Sequence, residues 1–165
     1  MESVNKLEVM VAGWYKNLPH LPKELSLWLA QNAWWLVMIG AIVSGVGILG
    51  VLGLASGASV FFASFGAFGL GGIVFLGTIL ALLFGIVSVL LELVAIKPLK
   101  VMAKKGWDFV FLSVLVSLVG AIVGVVFSYN VGNLLSALVG AAISGYVLFE
   151  VRNYFVVGQS KSPKA

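Results

Sequence analysis

Hydrophobic positions run through most of this chain, and charged residues are confined to short segments between them. No charged residue occurs between residues 25 and 91, a stretch far longer than the roughly 20 apolar residues that one membrane-crossing helix requires. Trp34 and Trp35 lie where the first such helix would begin, and aromatic residues favour membrane interfaces. The pattern therefore predicts that a first span begins near residue 33.

Further spans follow in the rest of the chain. The basic segment that begins at Lys97 limits the second span, and Pro98 is expected to end its helix, because the residue before a proline disfavours helical geometry. The polar stretch 128–133 separates two more apolar runs and is expected to be a short turn. The spans are predicted at about 33–55, 72–95, 107–127 and 134–155. The predicted fold class is therefore an all-α integral membrane bundle of four transmembrane helices, with a polar cytoplasmic tail at 156–165.

The stretch 56–71 lies between the first two spans and is apolar and rich in glycine. Phe61, Phe65 and Phe68 recur at steps of 4 and 3, so they share one face if the stretch is helical. One interpretation is a short helix or re-entrant segment at the outer leaflet, with a break near Gly71. The other is that the second span begins earlier, near residue 59, and runs long and tilted to residue 95. The pattern leaves both alternatives open.

The N-terminal segment, 1–32, carries a different pattern. Apolar residues recur there at steps of 3, 4, 3 and 4, which places them on one helical face. They are Val4, Leu7, Val11, Trp14 and Leu18. We expect an amphipathic helix that lies in the cytoplasmic membrane interface, and the alternative is a docking face for a partner or a second copy. A second short helix is predicted from Pro22 to Asn32, because proline suits the first turn of a helix.

Composition and charge predict the class and the orientation. Hydrophobic residues make up 61% of the chain and charged residues 10%, against about 25% charged residues in soluble domains. The chain is therefore expected to be an integral membrane protein surrounded by the lipid bilayer. With four spans, all 10 Lys and Arg residues lie on one side. Because basic residues favour the cytoplasmic side, both termini are expected there, in a multi-pass protein of the cell inner membrane.

Four lysines directly flank the second and third spans. Lysines placed this way attract anionic lipid head groups, at about 1 kcal/mol for each charge. They are Lys97, Lys100, Lys104 and Lys105. Contacts with lipid head groups are therefore predicted for this segment.

Each span also carries a stripe of small residues. Because lipid supplies no hydrophobic drive for helices to associate, close packing through small residues matters in membranes. The stripes contain Gly40, Ser44, Gly47, Ala81, Gly85, Ser88, Gly120, Gly124, Gly140 and Ser144. They are expected to pack the helices into a bundle, and the alternative is that they line a conduit.

Two acidic residues lie in or near the spans, and such residues are functional candidates. Glu92 continues the small-residue stripe of the second span, so it is expected to face the bundle. Glu150 lies away from the stripe of its own span. One interpretation is that these carboxylates pair with lysines of the segment 97–105. The other is that Glu92 is a proton or cation site.

The sequence gives little indication of metal binding, phosphate binding, nucleic-acid binding or catalysis. The chain has no cysteine and one histidine, His20, so thiolate and multi-histidine metal sites are not expected. The glycines of 66–72 are not followed by the lysine of a phosphate-binding loop. The lysines lie where membrane topology requires them, so nucleic acid is not an expected partner. We therefore expect no enzymatic activity, no catalytic residues, and no cofactor or metal.

The second half of the chain also resembles a known group of proteins. The residues that carry this are "KPLKVMAKKGWDFVFLSVLVSLVGAIVGVVFS" and "GYVLFEVRNYF", which combine a basic loop, a Gly-Trp start to the third span and a charged aromatic end to the fourth. They are similar to small four-span bacterial membrane proteins with no assigned activity. The resemblance implies the architecture and adds no site residue.

Two hypotheses for function follow. The first is a structural or accessory membrane protein that acts by helix packing, either with other membrane proteins or as a homo-oligomer. The alternative is a small transporter or channel subunit that uses Glu92 on the small-residue face of the second span.

Overall fold

The computed structural model describes residues 2–15, 17–66, 68–128 and 131–157. These residues form five helices and no strand. The helices are α1 (Glu2–Tyr15), α2 (Lys23–Ser64), α3 (Phe68–Lys100), α4 (Lys104–Ser128) and α5 (Val131–Val157). The predicted all-α fold is confirmed.

Four of the helices are long and apolar enough to cross a membrane, as predicted. The qualifying stretches are Lys23–Ala58, Phe75–Lys100, Lys104–Val126 and Leu135–Phe155. This identifies a multi-pass membrane protein by helix length and composition. Residues 156 and 157 of the predicted tail belong to α5, and the remainder, 158–165, lies outside the described residues.

α2 is one continuous helix, so the separate short helix predicted for 22–32 is wrong. Pro22 precedes the helix, and its carbonyl accepts the first-turn hydrogen bond from the Ser26 amide at 3.0 Å. Asn32 does not cap a new helix, because its side-chain amide donates back to the Trp28 carbonyl at 2.9 Å. The chain therefore enters the first span without a break.

Both alternatives for 56–71 misplace the break, although the helix of the second span does begin earlier than 72, at Phe68. Residues 56–64 extend the first long helix, and the break falls at Gly66, with a φ of 75°, instead of at Gly71. Glycine adopts this left-handed conformation without steric cost. Ser56 and Ser64 bond back to carbonyls one turn earlier, so they continue α2 and do not start a turn. Gly71 lies inside α3.

α3 does not end at Pro98, as the sequence suggested, but continues to Lys100. The turn that follows is closed by hydrogen bonds from the amides of Met102 and Ala103 to the carbonyls of Leu99 and Pro98. The chain then passes very close to itself. A Cβ atom added at Gly106 would lie 2.7 Å from the Leu99 nitrogen. Glycine at this position therefore allows the tight α3–α4 connection.

α3 packs between α2 and α4, while α5 packs mainly on α4 and touches α2 less. We call the basic end the part of the bundle that holds the start of α2, the turn at 101–103 and the end of α5. The largest buried cluster lies there. It contains Ala30, Ala95, Leu99, Trp107, Phe111, Leu148, Val151 and Phe155. The Trp107 indole donates to the Leu148 carbonyl at 2.7 Å, which ties α4 to α5.

Candidate functional site: an unpaired carboxylate between cavities

Glu92 projects from α3 into the space between the other long helices. It lines two cavities together with residues of α4 and α5. Its Oε2 atom is buried and has no hydrogen-bond partner among the described residues. None of the ion pairs among the described residues includes Glu92. The predicted pairing of Glu92 with the lysines of 97–105 is therefore wrong.

The first cavity has a volume of about 310 Å³ and lies between α2, α4 and α5, with Glu92 reaching into it from α3. Glu92, Ser113 and Ser144 are the polar residues of its lining. The remainder is aliphatic or glycine, contributed from Leu29 on α2 to Val151 on α5. A single carboxylate thus faces a largely apolar chamber, which is partly open at the surface of the bundle.

Two more cavities continue from the first along α4. The second, about 240 Å³, shares Glu92, Val114 and Ser144 with the first. The third, about 210 Å³, shares Ser117 with the second and extends to Gly124. We call these three chambers the α4 cavity series. At 1.5 Å per residue, the α4 residues from 110 to 124 that line it cover roughly 21 Å of helix, against a hydrocarbon thickness of about 30 Å.

A chain of serine hydroxyls borders the cavity series. Ser117 donates to the Ser88 hydroxyl at 2.9 Å, and Ser88 donates to the Ser113 carbonyl at 3.1 Å. Ser113 donates to the Val110 carbonyl at 2.8 Å. Because each of these hydroxyl protons already has an acceptor, the chain stabilises the α3–α4 contact and offers no proton to Glu92.

The small residues of α3 and α4 lie where α3 meets α4 or α2. A Cβ atom added at Gly120 would lie 2.6 Å from the Phe84 Cβ, and one at Gly124 would lie 3.6 Å from the Ala81 Cβ. Gly85 faces Ile48 of α2, at 3.5 Å from such an added atom. Gly120 therefore allows the close approach of α3 and α4, whereas Gly124 and Gly85 leave ordinary contact distances.

The small residues of α2 and α5 have different surroundings. Added Cβ atoms at Gly40, Gly47 and Gly140 meet no atom of the described residues within 4 Å. Ser44 and Ser144 are exposed. These stripes thus face open space or the cavities, and do not contact another described helix closely.

Glu150 has partners, but they are not the lysines. Its Oε1 atom accepts hydrogen bonds from the Leu21 amide at 3.1 Å and the Ser26 hydroxyl at 3.3 Å. Its Oε2 atom lies 3.1 Å from the His20 Nδ1. Glu150 therefore ties the connection between α1 and α2 to α5.

Glu8 of α1 is an important residue that the sequence did not identify. It is only 2% exposed, and it pairs with Lys104 at 3.2 Å and Arg152 at 2.6 Å. Lys104 also pairs with Asp108 at 2.9 Å. The only local signal was that Glu8 and Tyr15, seven residues apart, share a helical face. That face packs on the bundle, since the Tyr15 hydroxyl donates to the Ala142 carbonyl.

The predicted apolar stripe of α1 is divided in its described part: Val11 packs against the buried cluster, while Leu7 and Trp14 face away from the bundle. Leu7 is 43% and Trp14 71% exposed. The side chain of Val4 lies outside the described residues.

The four lysines of 97–105 have different environments. Lys97 and Lys105 are exposed, while the Lys100 ammonium lies 4.4 Å from the centre of the Trp34 ring. Lys104 is held in its ion pairs with Glu8 and Asp108. Three of these lysines are thus placed at the surface, where a head group can reach them.

No cluster of three or more metal-binding side chains occurs among the described residues. Comparisons with family models, curated proteins and solved structures found no match to this chain. The resemblance to four-span bacterial proteins therefore stays a prediction, and the geometry around Glu92 is the basis for a functional proposal.

Proposed function

We propose that this multi-pass membrane protein is a small transporter or channel subunit, with Glu92 as the group that binds a proton or cation. The observation that carries the proposal is the buried Oε2 atom of Glu92, which lacks a hydrogen-bond partner among the described residues. A carboxylate inside a membrane bundle is costly unless a counter-charge or a proton compensates it. The neighbouring described residues supply neither, so the compensating species comes from outside the chain.

The position of Glu92 supports this role. It lies between the first and second chambers of the α4 cavity series, and Ser144 lines both chambers with it. A binding group between two adjoining chambers can accept a solute from one and release it to the other. The row of chambers covers much of a bilayer's thickness.

We further propose that the basic end faces the cytoplasm, with both termini on that side of the cell inner membrane. The support is the uneven distribution of lysine and arginine. The exposed Leu7, Met10 and Trp14 side chains of α1 suit an interfacial helix whose apolar face enters the lipid. Lys97, Lys100 and Lys105 then lie near the head groups.

The test is flux in reconstituted vesicles. Wild-type protein is expected to move protons or small cations, and Glu92→Gln is expected to abolish most of this flux because it removes the charge and keeps the side-chain volume. Glu24→Gln is the matched control, since Glu24 is exposed in the first turn of α2 and lines none of the three chambers. Melting temperatures in detergent establish that both variants are folded. Equal flux in wild type and Glu92→Gln would refute the proposal.

An accessory role through helix packing is the second candidate. The observation in its favour is the open space in front of Gly40 and Gly47 on α2 and Gly140 on α5. Such faces allow another membrane helix to approach closely, either from a second copy or from a different membrane protein. Crosslinking in native membranes tests this, and exclusively monomeric protein would count against it.

A further inference from the structure

We infer, on the basis of the proposed function, that the first chamber binds an organic monovalent cation with an apolar body, such as a protonated alkylamine or a quaternary ammonium ion. Such a ligand would compensate the charge of Glu92 and fit the lining, the volume and the opening of the chamber.

The charge of the chamber favours a cationic ligand. Glu92 is the ionisable residue of the lining, and the other two polar side chains are the neutral Ser113 and Ser144. An anionic ligand would be repelled by the carboxylate. A cationic nitrogen beside Oε2 would instead give this buried atom the partner that it lacks among the described residues.

The lining requires that the remainder of the ligand be apolar. Aliphatic side chains of α2, α4 and α5 surround the carboxylate, among them Leu29, Val37, Val114, Val147 and Leu148. A polyhydroxylated solute such as a sugar would lose its hydrogen bonds to water and gain few in return. A hydrocarbon body gains free energy from burial in the same surroundings.

The volume favours an organic ion over a bare inorganic one. An apolar cavity of roughly 150 Å³ holds one benzene molecule, and this chamber measures about 310 Å³. Divalent metal ions need about six or more oxygen ligands at close range, and potassium filters replace the hydration shell with rings of carbonyls. One carboxylate and two serines in a chamber of this size do not form such a cage.

The opening of the chamber suits a ligand that partitions into lipid. The chamber lies between α2 and α5, which contact each other less than the other neighbouring long helices do. Of its lining residues, Leu36 on α2 is 39% exposed and Ile143 on α5 is 62% exposed. Both side chains would face the acyl chains of a bilayer, where an apolar cation accumulates.

The experiment measures equilibrium binding of radiolabelled benzyltrimethylammonium to the full chain in lipid nanodiscs, with empty nanodiscs as background. Saturable binding to the wild type is expected, and Glu92→Gln should weaken it roughly ten- to hundredfold, the size of one interaction with a charged group. Glu24→Gln should leave binding unchanged. Tetramethylammonium, which has the charge without the apolar body, should compete poorly.

A second variant covers the case in which Glu92→Gln does not fold. Val147→Phe reduces the chamber volume and keeps the carboxylate, so it should also weaken binding. The inference is overturned if the wild type shows no saturable binding, if Glu92→Gln or Val147→Phe binds as well as the wild type, or if tetramethylammonium competes equally.

The binding and flux results separate the inference from the proposed function. Glu92-dependent proton or sodium flux without binding of benzyltrimethylammonium would overturn the inference and leave the transport proposal intact. Glu92-dependent binding without any flux would support the inference and remove the transport proposal.

Discussion

Glu8, in the first helix, and Arg152, near the end of the last, are 144 residues apart in the chain, yet the Arg152 Nε lies 2.6 Å from the Glu8 Oε1. Lys104 contacts the other oxygen of the same carboxylate at 3.2 Å. One acidic side chain thus holds α1 against the start of α4 and the last turns of α5. The α1 segment is therefore part of the folded bundle and is anchored by charge.

The first prediction concerns this anchor. Glu8→Gln should lower the free energy of unfolding in detergent by about 1–3 kcal/mol, because it replaces charged hydrogen bonds by weaker ones and leaves two cations close together. The partial exposure of Lys104 and Arg152 keeps the effect below that of a fully buried pair. Thermal unfolding measures the loss, with Glu24→Gln as the exposed acidic control. Equal stability of the two variants would contradict the anchoring role.

The second prediction compares glycines. Gly120→Ala should destabilise the protein by about 1–3 kcal/mol, because its Cβ would lie 2.6 Å from the Phe84 Cβ and force α3 and α4 apart. Gly140→Ala meets open space and should have little effect. Unfolding of both variants in detergent checks the difference. If both alanine variants have the same melting temperature, the close α3–α4 approach is absent.

The third prediction concerns the indole that joins α4 to α5. Trp107→Phe should cost about 1–3 kcal/mol, since it removes a buried 2.7 Å hydrogen bond and part of the volume of a side chain that is 1% exposed. Trp28→Phe is the control, because Trp28 is 53% exposed. Thermal unfolding in detergent provides the comparison, and an effect confined to Trp28→Phe would be inconsistent with the core described at the basic end.

The fourth prediction concerns the connection between α2 and α3. The chain contains no cysteine, so single cysteines introduced from 52 to 64 can be spin-labelled without background. With the scan continued to 76, accessibility should vary with a period of about 3.6 residues through 64, and the period should be interrupted at Gly66. A period that runs unbroken from 60 to 76 would contradict the break between α2 and α3 at Gly66.

Much of the fold was predictable because it depends on composition over long stretches. An uncharged apolar run has few stable structures in lipid, and helices satisfy their own backbone hydrogen bonds there. The exact residues at which helices end depend on local contacts, which composition does not reveal. Several glycines lie between 66 and 72, and the sequence pattern does not show which of them adopts a positive φ, which in the structure is Gly66. Likewise, Pro98 near the end of α3 leaves room for one more half-turn.

The candidate site was predictable in part. The spacing of Ser88 and Glu92, four residues apart, predicted that Glu92 faces the bundle, and it lines two chambers there. Its lack of a partner among the described residues was not predictable, because the nearby lysines offered plausible partners. Lys104 forms an ion pair with Glu8 instead. A contact between such distant segments leaves no local pattern in the sequence.

The central claim is that solute passes through the chambers on either side of Glu92. Ser144 lines both chambers and is exposed, so Ser144→Cys provides a unique thiol at this point. Flux in vesicles should fall to near background after a bulky thiol reagent modifies Ser144→Cys. The same treatment of Ser44→Cys, which is exposed on α2 outside the three chambers, should change flux little. Full flux after complete modification of Ser144→Cys would contradict the claim.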